Sequence, residues 1–141
     1  MDKFFGPRFA WVAAAALICT VAARAEEKSP ISTRADARRY SQQLCEAFLS
    51  GSYACFAAVA PPELLAALPK SSYEGALIHL SRRGRFSPAL TYLGELRGEG
   101  LMVLVWRISY RNEKGEEFDT LATTAFRPLP NGWRPAGFHI L

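Results

Sequence analysis

The feature that most constrains the fold is the run of residues 101–110, which reads LMVLVWRISY. β-Branched and aromatic side chains dominate this run, and the turn residues 112–115 (NEKG) follow it closely, which is typical of a strand that enters a hairpin. Two sets of side chains alternate along it, one starting at Leu101 and one at Met102, and both are mostly apolar. We therefore expect a central β-strand whose two faces both need cover over its first half.

The chain before this strand is helical in pattern, and the chain around and after it alternates as strands. Apolar residues recur at helical spacing in residues 34–49, Thr33 and Asp36 resemble a capping box, and a glycine at position 51 ends the run. Shorter helices are predicted over residues 53–60, 62–68 and 71–83, and strands over residues 89–96, 101–110, 117–127 and 133–141. Helices followed by an antiparallel meander predict an α+β fold with N-terminal helices packed on the sheet.

The N-terminus has the pattern of a secretory signal peptide. Basic residues precede an apolar run at residues 9–21, and residues 23–25 (ARA) form an A-x-A cleavage pattern. The apolar run is shorter than the roughly 20 residues of a membrane-spanning helix. We expect residues 1–25 to be removed, leaving residues 26–141 as a single periplasmic or secreted domain with no stable membrane span. An uncleaved N-terminal anchor is the alternative.

Charge and cysteine content narrow the classes of function. The 141-residue chain has a formal net charge of +4, and loss of residues 1–25, which hold three basic residues and one acidic residue, lowers it to +2. No dense basic face with interleaved aromatics is present, so we expect no nucleic-acid partner. Cys45 and Cys55 remain after cleavage, and an even pair in an oxidising compartment predicts a disulfide at the corner between the first two helices. A reactive thiol is the alternative, although the spacing is not C-x-x-C.

The C-terminal segment resembles a known superfamily. Residues 131–140 read NGWRPAGFHI, in which a turn glycine, Trp-Arg, an apolar residue, glycine and an aromatic residue follow one another. With LSGSY at residues 49–53 and PEL at residues 62–64, the chain resembles small secreted bacterial members of the nuclear-transport-factor-2-like superfamily. The resemblance implies a cone-shaped α+β roll, in which a curved sheet wraps around the helices and encloses an internal pocket. It is also compatible with a homodimer that forms through the outer face of the sheet. Function does not follow, because the superfamily holds isomerases, dehydratases, ligand binders and assembly modules.

Three polar residues are the candidates for chemistry or ligand contact. Asp119 lies near the start of a strand, His139 lies near the end of the last strand, and Arg107 interrupts the apolar central strand, where a buried guanidinium needs a carboxylate or an anionic ligand. Each also has an ordinary role, as a hairpin-end charge, a surface histidine or the ion-pair partner of a nearby carboxylate. Trp106 and Tyr110, on the opposite face of the strand from Arg107, are expected in the core or at a contact between subunits. The two isolated histidines predict no metal site, and no cofactor is expected.

Three functions are compatible with these features. The leading prediction is an exported, non-enzymatic domain that binds a protein partner or a small apolar ligand. Its contact residues would be Arg107, Asp119, His139, Trp106 and Tyr110. The alternatives are a small lyase or isomerase that uses Asp119 or His139 as acid or base with Arg107 as oxyanion support, and an envelope or secretion assembly subunit with an uncleaved anchor.

Overall fold

A computed structural model describes residues 31–141, so the predicted signal peptide and the first five residues after it lie outside the described residues. Four helices come first: α1 (Arg34–Leu49), α2 (Tyr53–Val59), α3 (Pro62–Ala67) and α4 (Lys70–Arg83). Four strands follow: β1 (Arg85–Gly98), β2 (Leu101–Arg111), β3 (Glu117–Leu129) and β4 (Gly132–Ile140). The strands form one antiparallel sheet in the order β1-β2-β3-β4. The predicted α+β fold is confirmed, and β2 is an interior strand as expected.

Helix α1 begins and ends where the local sequence predicts. The backbone N–H of Asp36 donates to Thr33 Oγ1 at 3.1 Å, and the Thr33 hydroxyl donates to the Asp36 carboxylate at 2.8 Å. The hydrogen bond from the Thr33 side chain lowers the pKa of Asp36, because it stabilises the ionised carboxylate. At the other end, the helix stops at Leu49 and Gly51 makes the turn into α2 with a φ of +76°.

The hydrophobic core lies between the helices and one face of the sheet, which we call the inner face. The buried inner-face residues of β2 are Met102, Leu104, Trp106 and Ile108. The rings of Phe48, Phe56 and Tyr73 fill the space on the helical side, with centroids 5.1 to 5.6 Å apart. The alternate side chains of β2 are half-buried or exposed. Helices therefore cover one face of the central strand, whereas the sequence pattern suggested cover on both.

A short chain of polar groups crosses this core and ties α1 to the sheet. Trp106 Nε1 donates to Ser41 Oγ at 2.8 Å, and the Ser41 hydroxyl donates to Thr124 Oγ1 at 2.8 Å. Ser41 and Thr124 have no exposed surface. Because an unsatisfied buried polar group costs about 1 to 3 kcal/mol, these bonds favour one register of α1 against β2 and β3. Trp106 is thus a core residue, the first of its two expected roles.

The sheet starts earlier than its alternation predicts. Strand β1 begins at Arg85, immediately after Gly84, rather than at residue 89. Pro88 has no N–H for the ladder, and the β1–β2 register shifts between Phe86 and Leu90. This irregular stretch hides the period of two in the sequence, although the backbone is already extended and paired.

Candidate functional site

The sheet face turned away from the inner face, which we call the outer face, carries both apolar and charged side chains. Its members on β1 and β2 are Leu96, Leu101, Val103, Val105, Arg107 and Ser109. Its members on β3 and β4 are Asp119, Leu121, Thr123, Ala125, Arg127, Gly137 and His139. Leu96 is 65% exposed and Leu101 is 39% exposed, whereas the valines of β2 are half-buried. An apolar strip bordered by charges is therefore open to solvent across the middle of the sheet.

The three polar candidates from the sequence, Arg107, Asp119 and His139, all lie on this outer face and are exposed. The Ser109 hydroxyl donates to Asp119 Oδ1 at 2.6 Å across the β2–β3 ladder. Arg107 donates to Thr91 Oγ1 at 3.5 Å, a long contact, and not to one of the carboxylates that the sequence suggested. The pairing of the strands thus brings the three residues to one surface, where water reaches each of them.

The two aromatic candidates lie on the inner face. Trp106 is 3% exposed in the core. Tyr110 stacks between Phe86 and Phe118, with ring centroids 5.0 and 5.7 Å apart, in a ladder across three strands. Alternation along β2 separates these rings from Arg107. The five candidate contact residues therefore do not form one site.

A small groove of about 130 Å³ opens near the β1–β2 turn and the start of β4, lined by apolar residues such as Met102 and Trp133. Arg97 also lines this groove, and its guanidinium is already held by Glu95 at 2.6 Å. None of the three outer-face candidates lines it. The structure therefore does not assemble Asp119 or His139 with Arg107 in this groove, and the rings of Phe48, Phe56 and Tyr73 pack together in the interior between helices and sheet.

Cys45 and Cys55 are both buried, but no disulfide joins them within residues 31–141. Cys45 packs against Trp106 of the sheet, whereas Cys55 packs against Ala47. Positions 45 and 47 differ by about 200° around a helix of 3.6 residues per turn. The two cysteines therefore belong to different parts of the core, even though they are close in sequence. The structure does not contain the disulfide that the sequence predicted.

The buried thiol of Cys45 predicts a loss of stability at alkaline pH. Burial raises the pKa of Cys45 to about 12, with a further contribution from the charge of Glu46 and an opposing hydrogen bond with Thr124. Above pH 9 the unfolded thiol ionises while the folded one keeps its proton, so the free energy of unfolding falls as the pH rises, by at most about 1.4 kcal/mol per pH unit. Urea unfolding at pH 8 and pH 10 is expected to show a smaller loss in Cys45→Ala than in the wild type.

Leu44→Ala is the control for this experiment, because it removes a buried side chain without a titrating group. It should be less stable than the wild type at both pH values and lose the same amount between them. A Cys45→Ala variant with the wild-type pH dependence would contradict the prediction.

Sequence reasoning placed Arg107 on one face of β2 with Val103 and Val105, and Asp119 on one face of β3 with Leu121. It did not join these two faces into one surface, which the β2–β3 register does. The alternation of β2 and β3 contains the signal, since a hairpin of known register places odd-numbered residues of both strands on the same side. The candidate site is therefore a surface of the sheet and not a cleft.

Fold and site together define an α+β domain with helices on one side of a four-stranded meander and an open, partly apolar face on the other. Of the helices in residues 31–141, none has the length and apolar character needed to cross a bilayer. The same part of the chain contains no cluster of three or more His, Cys, Asp or Glu side chains suited to a metal ion.

Comparison of the sequence with protein-family models and with curated proteins found no match. Among solved structures, the Agrobacterium tumefaciens VirB8 protein is similar, with 11% identity, a TM-score of 0.34 and coverage of 96% of each chain. At this identity and TM-score the likeness is too distant to assign a family or a function. The nuclear-transport-factor-2-like resemblance thus agrees with the α+β fold, and membership of that superfamily stays a prediction.

Proposed function

We propose that this protein is an exported binding module that holds a folded protein partner on the outer face of its sheet. The observation that supports this is the open apolar strip, in which Leu96 is 65% exposed beside the half-buried Val103 and Val105. Covering such a surface is favourable by about 25 cal/mol for each Å² of apolar area removed from water. A contiguous apolar patch with a charged border is typical of a protein-binding surface.

The charged residues around the strip suit a binding role. Arg107 and Asp119 lie towards the β2–β3 turn, and Arg127 lies towards the opposite end of the same face. Exposed charges at the border of an interface orient the partner and accelerate association more than they add affinity. The outer face is the broad surface of a four-stranded sheet, so a folded protein fits it better than a small molecule does.

A role in acid–base catalysis draws less support from the geometry. Asp119 and His139 are open to water, and neither lines the groove near the β1–β2 turn. A general acid or base usually lies in a site that shields its proton transfer from bulk water. Export of the module rests on the signal-peptide pattern of residues 1–25.

Site-specific photo-cross-linking in the source cells tests the proposal. p-Benzoylphenylalanine placed at Val103 should form a covalent protein adduct on illumination, and the same probe at Arg39, whose side chain is 69% exposed on α1, should not. A Val105→Lys change in the Val103 probe variant should abolish the adduct, because it places a charge in the apolar strip. Equal adduct yields at positions 103 and 39, or none at either, would overturn the proposed function.

A further inference from the structure

We infer that the start of β3 is a binding edge for an extended segment of a different protein, which pairs with it as a fifth, antiparallel strand. The segment that fits this edge carries an aromatic residue between two lysines or arginines. The edge runs along residues 117–120 and is distinct from the apolar strip of the outer face. The inference therefore goes beyond the proposed function and does not depend on it.

The first part of β3 has a neighbouring strand on one side only. Strand β2 pairs with it from Glu117 onward, whereas β4 pairs with it only from Ala122 onward. On the β4 side, the last backbone hydrogen bond runs from the Leu141 N–H to the Leu121 carbonyl and is 3.0 Å long. In the part of the chain that the structure describes, residues 117–120 therefore lie at an open edge of the sheet.

Two hydrogen bonds show which backbone groups face this edge. The Glu116 carbonyl accepts from the Asn112 N–H at 2.9 Å and points to β2, whereas the Leu121 carbonyl points to the β4 side. Because the backbone groups of successive strand residues point to opposite sides, the N–H and carbonyl of Glu117 and Asp119 face the open edge. Within residues 31–141, these four groups form no hydrogen bond. Such a row of unpaired groups is a template for another strand.

This edge is also regular, which suits it to strand pairing. The β2–β3 register has no shift, so residues 117–121 keep the regular alternation of the sheet. The edge strand β1 differs, because it contains Pro88 and its pairing with β2 has two register shifts. Proline and bulges obstruct the addition of a further strand. We therefore place the binding edge on β3 and not on β1.

The charges at the β3 edge favour a basic partner. Residues 111–119 contain four acidic and two basic side chains, in a chain whose formal net charge is +4. Arg111 pairs with Glu117 at 3.6 Å from the β2 side, and both side chains are mostly exposed, so Glu117 stays accessible to a second cation. An added antiparallel strand has one residue opposite Glu117 and one opposite Asp119, and opposite charges at these two places are favourable.

The same charges disfavour pairing between two copies of this edge. An antiparallel pair of β3 edges centred on Phe118 would place Glu117 of one copy opposite Asp119 of the other. Like charges directly opposite each other destabilise a strand pair. The partner is therefore a chain with a different, basic sequence.

The ring of Phe118 favours an aromatic residue between the two cations. The rings of Phe86, Tyr110 and Phe118 stack across three strands on the inner face, with centroids 5.0 and 5.7 Å apart. Phe118 ends this ladder at the open edge and is 45% exposed. A neighbouring strand lies about 4.8 Å away, close to the spacing within the ladder. An aromatic residue opposite Phe118 therefore continues the stack and covers its open side.

Nuclear magnetic resonance of the purified, isotope-labelled protein tests this inference with the synthetic peptide acetyl-Thr-Lys-Phe-Lys-Thr-amide. The peptide should change the chemical shifts of the Glu117 and Asp119 amides. Hydrogen exchange of these two amides should slow about tenfold at a peptide concentration of about ten times its dissociation constant, because pairing occupies their N–H groups. The Phe118 amide points to β2 and is the internal control, since its exchange should change little.

Three control peptides separate strand pairing from simple attraction of charge. Methylation of both lysine backbone nitrogens keeps the charges and removes the N–H donors, so binding should be lost. Replacing the phenylalanine with alanine should weaken binding about tenfold, because the contact with the exposed ring is removed. Replacing both lysines with glutamate should abolish binding, because like charges then face each other.

Two variants of the protein test the role of charge from the other side. Asp119→Lys reverses one charge at the edge and should weaken binding of the lysine peptide about fivefold. Glu99→Lys makes a comparable change at an exposed residue in the β1–β2 turn, at the opposite end of the sheet, and should leave binding unchanged. The amide spectra of both variants report at the same time that the fold is kept.

The outcomes decide the inference without reference to the outer face. Slowed exchange at Glu117 and Asp119 that is lost with the methylated peptide supports strand pairing. Equal binding of the methylated peptide overturns it, as do shift changes confined to other residues or no change at millimolar peptide. An Asp119→Lys protein that binds like the wild type overturns the choice of a basic partner. A negative result leaves the proposed function intact, because that function is tested by the Val103 adduct.

Discussion

Replacing Phe56 with alanine is expected to lower the free energy of unfolding by about 3 to 5 kcal/mol, the usual cost of removing a buried aromatic ring. The Phe56 side chain has no exposed surface. Its ring lies 5.6 Å from that of Phe48 and 5.2 Å from that of Tyr73, centroid to centroid, so the variant loses apolar burial and leaves a cavity among rings that hold one another. Single domains are stable by about 5 to 15 kcal/mol, so the loss should be large in urea unfolding followed by circular dichroism.

Phe118→Ala is the matched control, because it makes the same chemical change at a ring that is 45% exposed. Within the aromatic pairs described, its ring contacts only the ring of Tyr110. The loss in the free energy of unfolding should therefore be about 1 kcal/mol. Equal losses for the two variants would mean that the packed rings of Phe48, Phe56 and Tyr73 are not the main source of stability.

Replacing Gly84 with alanine is expected to destabilise the fold by about 3 kcal/mol or more. Gly84 joins α4 directly to β1 with a φ of +149°, a conformation that residues with a Cβ rarely adopt. An added Cβ would also overlap the backbone carbonyl of Arg111, which faces it from β2. The variant must therefore shift the first pair of the sheet, and thermal unfolding is expected to show a clearly lower Tm.

Gly75→Ala provides the opposite control inside α4. Nothing lies within 4 Å of a Cβ added at this position, and its backbone is helical. Alanine should raise the free energy of unfolding there by about 0.5 to 1 kcal/mol, because glycine loses more conformational entropy in a helix. A Gly84→Ala protein as stable as the wild type would show that the α4–β1 junction tolerates a side chain.

These two predictions bear on function because the outer face depends on a rigid sheet. Phe56 and its neighbours hold the helices against the inner face, and Gly84 allows β1 to pair with β2 from its first residue. A binding surface spread over strands β1 to β4 keeps its shape only while these pairings persist. Variants at either position should therefore weaken binding at the outer face through the fold, without touching that face.

The local sequence was sufficient to predict those features of the fold that depend on neighbouring residues. The cap at Thr33, the end of α1 before Gly51 and the alternation that places Arg107 opposite Trp106 across β2 were all predictable, since each depends on neighbouring residues and on backbone geometry. Glycine and the NEKG turn likewise marked the boundaries of the β2–β3 hairpin.

Tertiary structure decided which of two similar apolar faces became the core. Both faces of β2 read as apolar, and the choice was made by long-range contacts: the apolar packing of the helices on the inner face and the hydrogen bonds that join Ser41 of α1 to Trp106 and Thr124. The same packing of α1 separated Cys45 from Cys55 and left Asp119 and Arg127 on the open side of one strand. When both faces of a strand are apolar, the alternation of its sequence does not show which face is buried. That face is known only once a second layer packs on it.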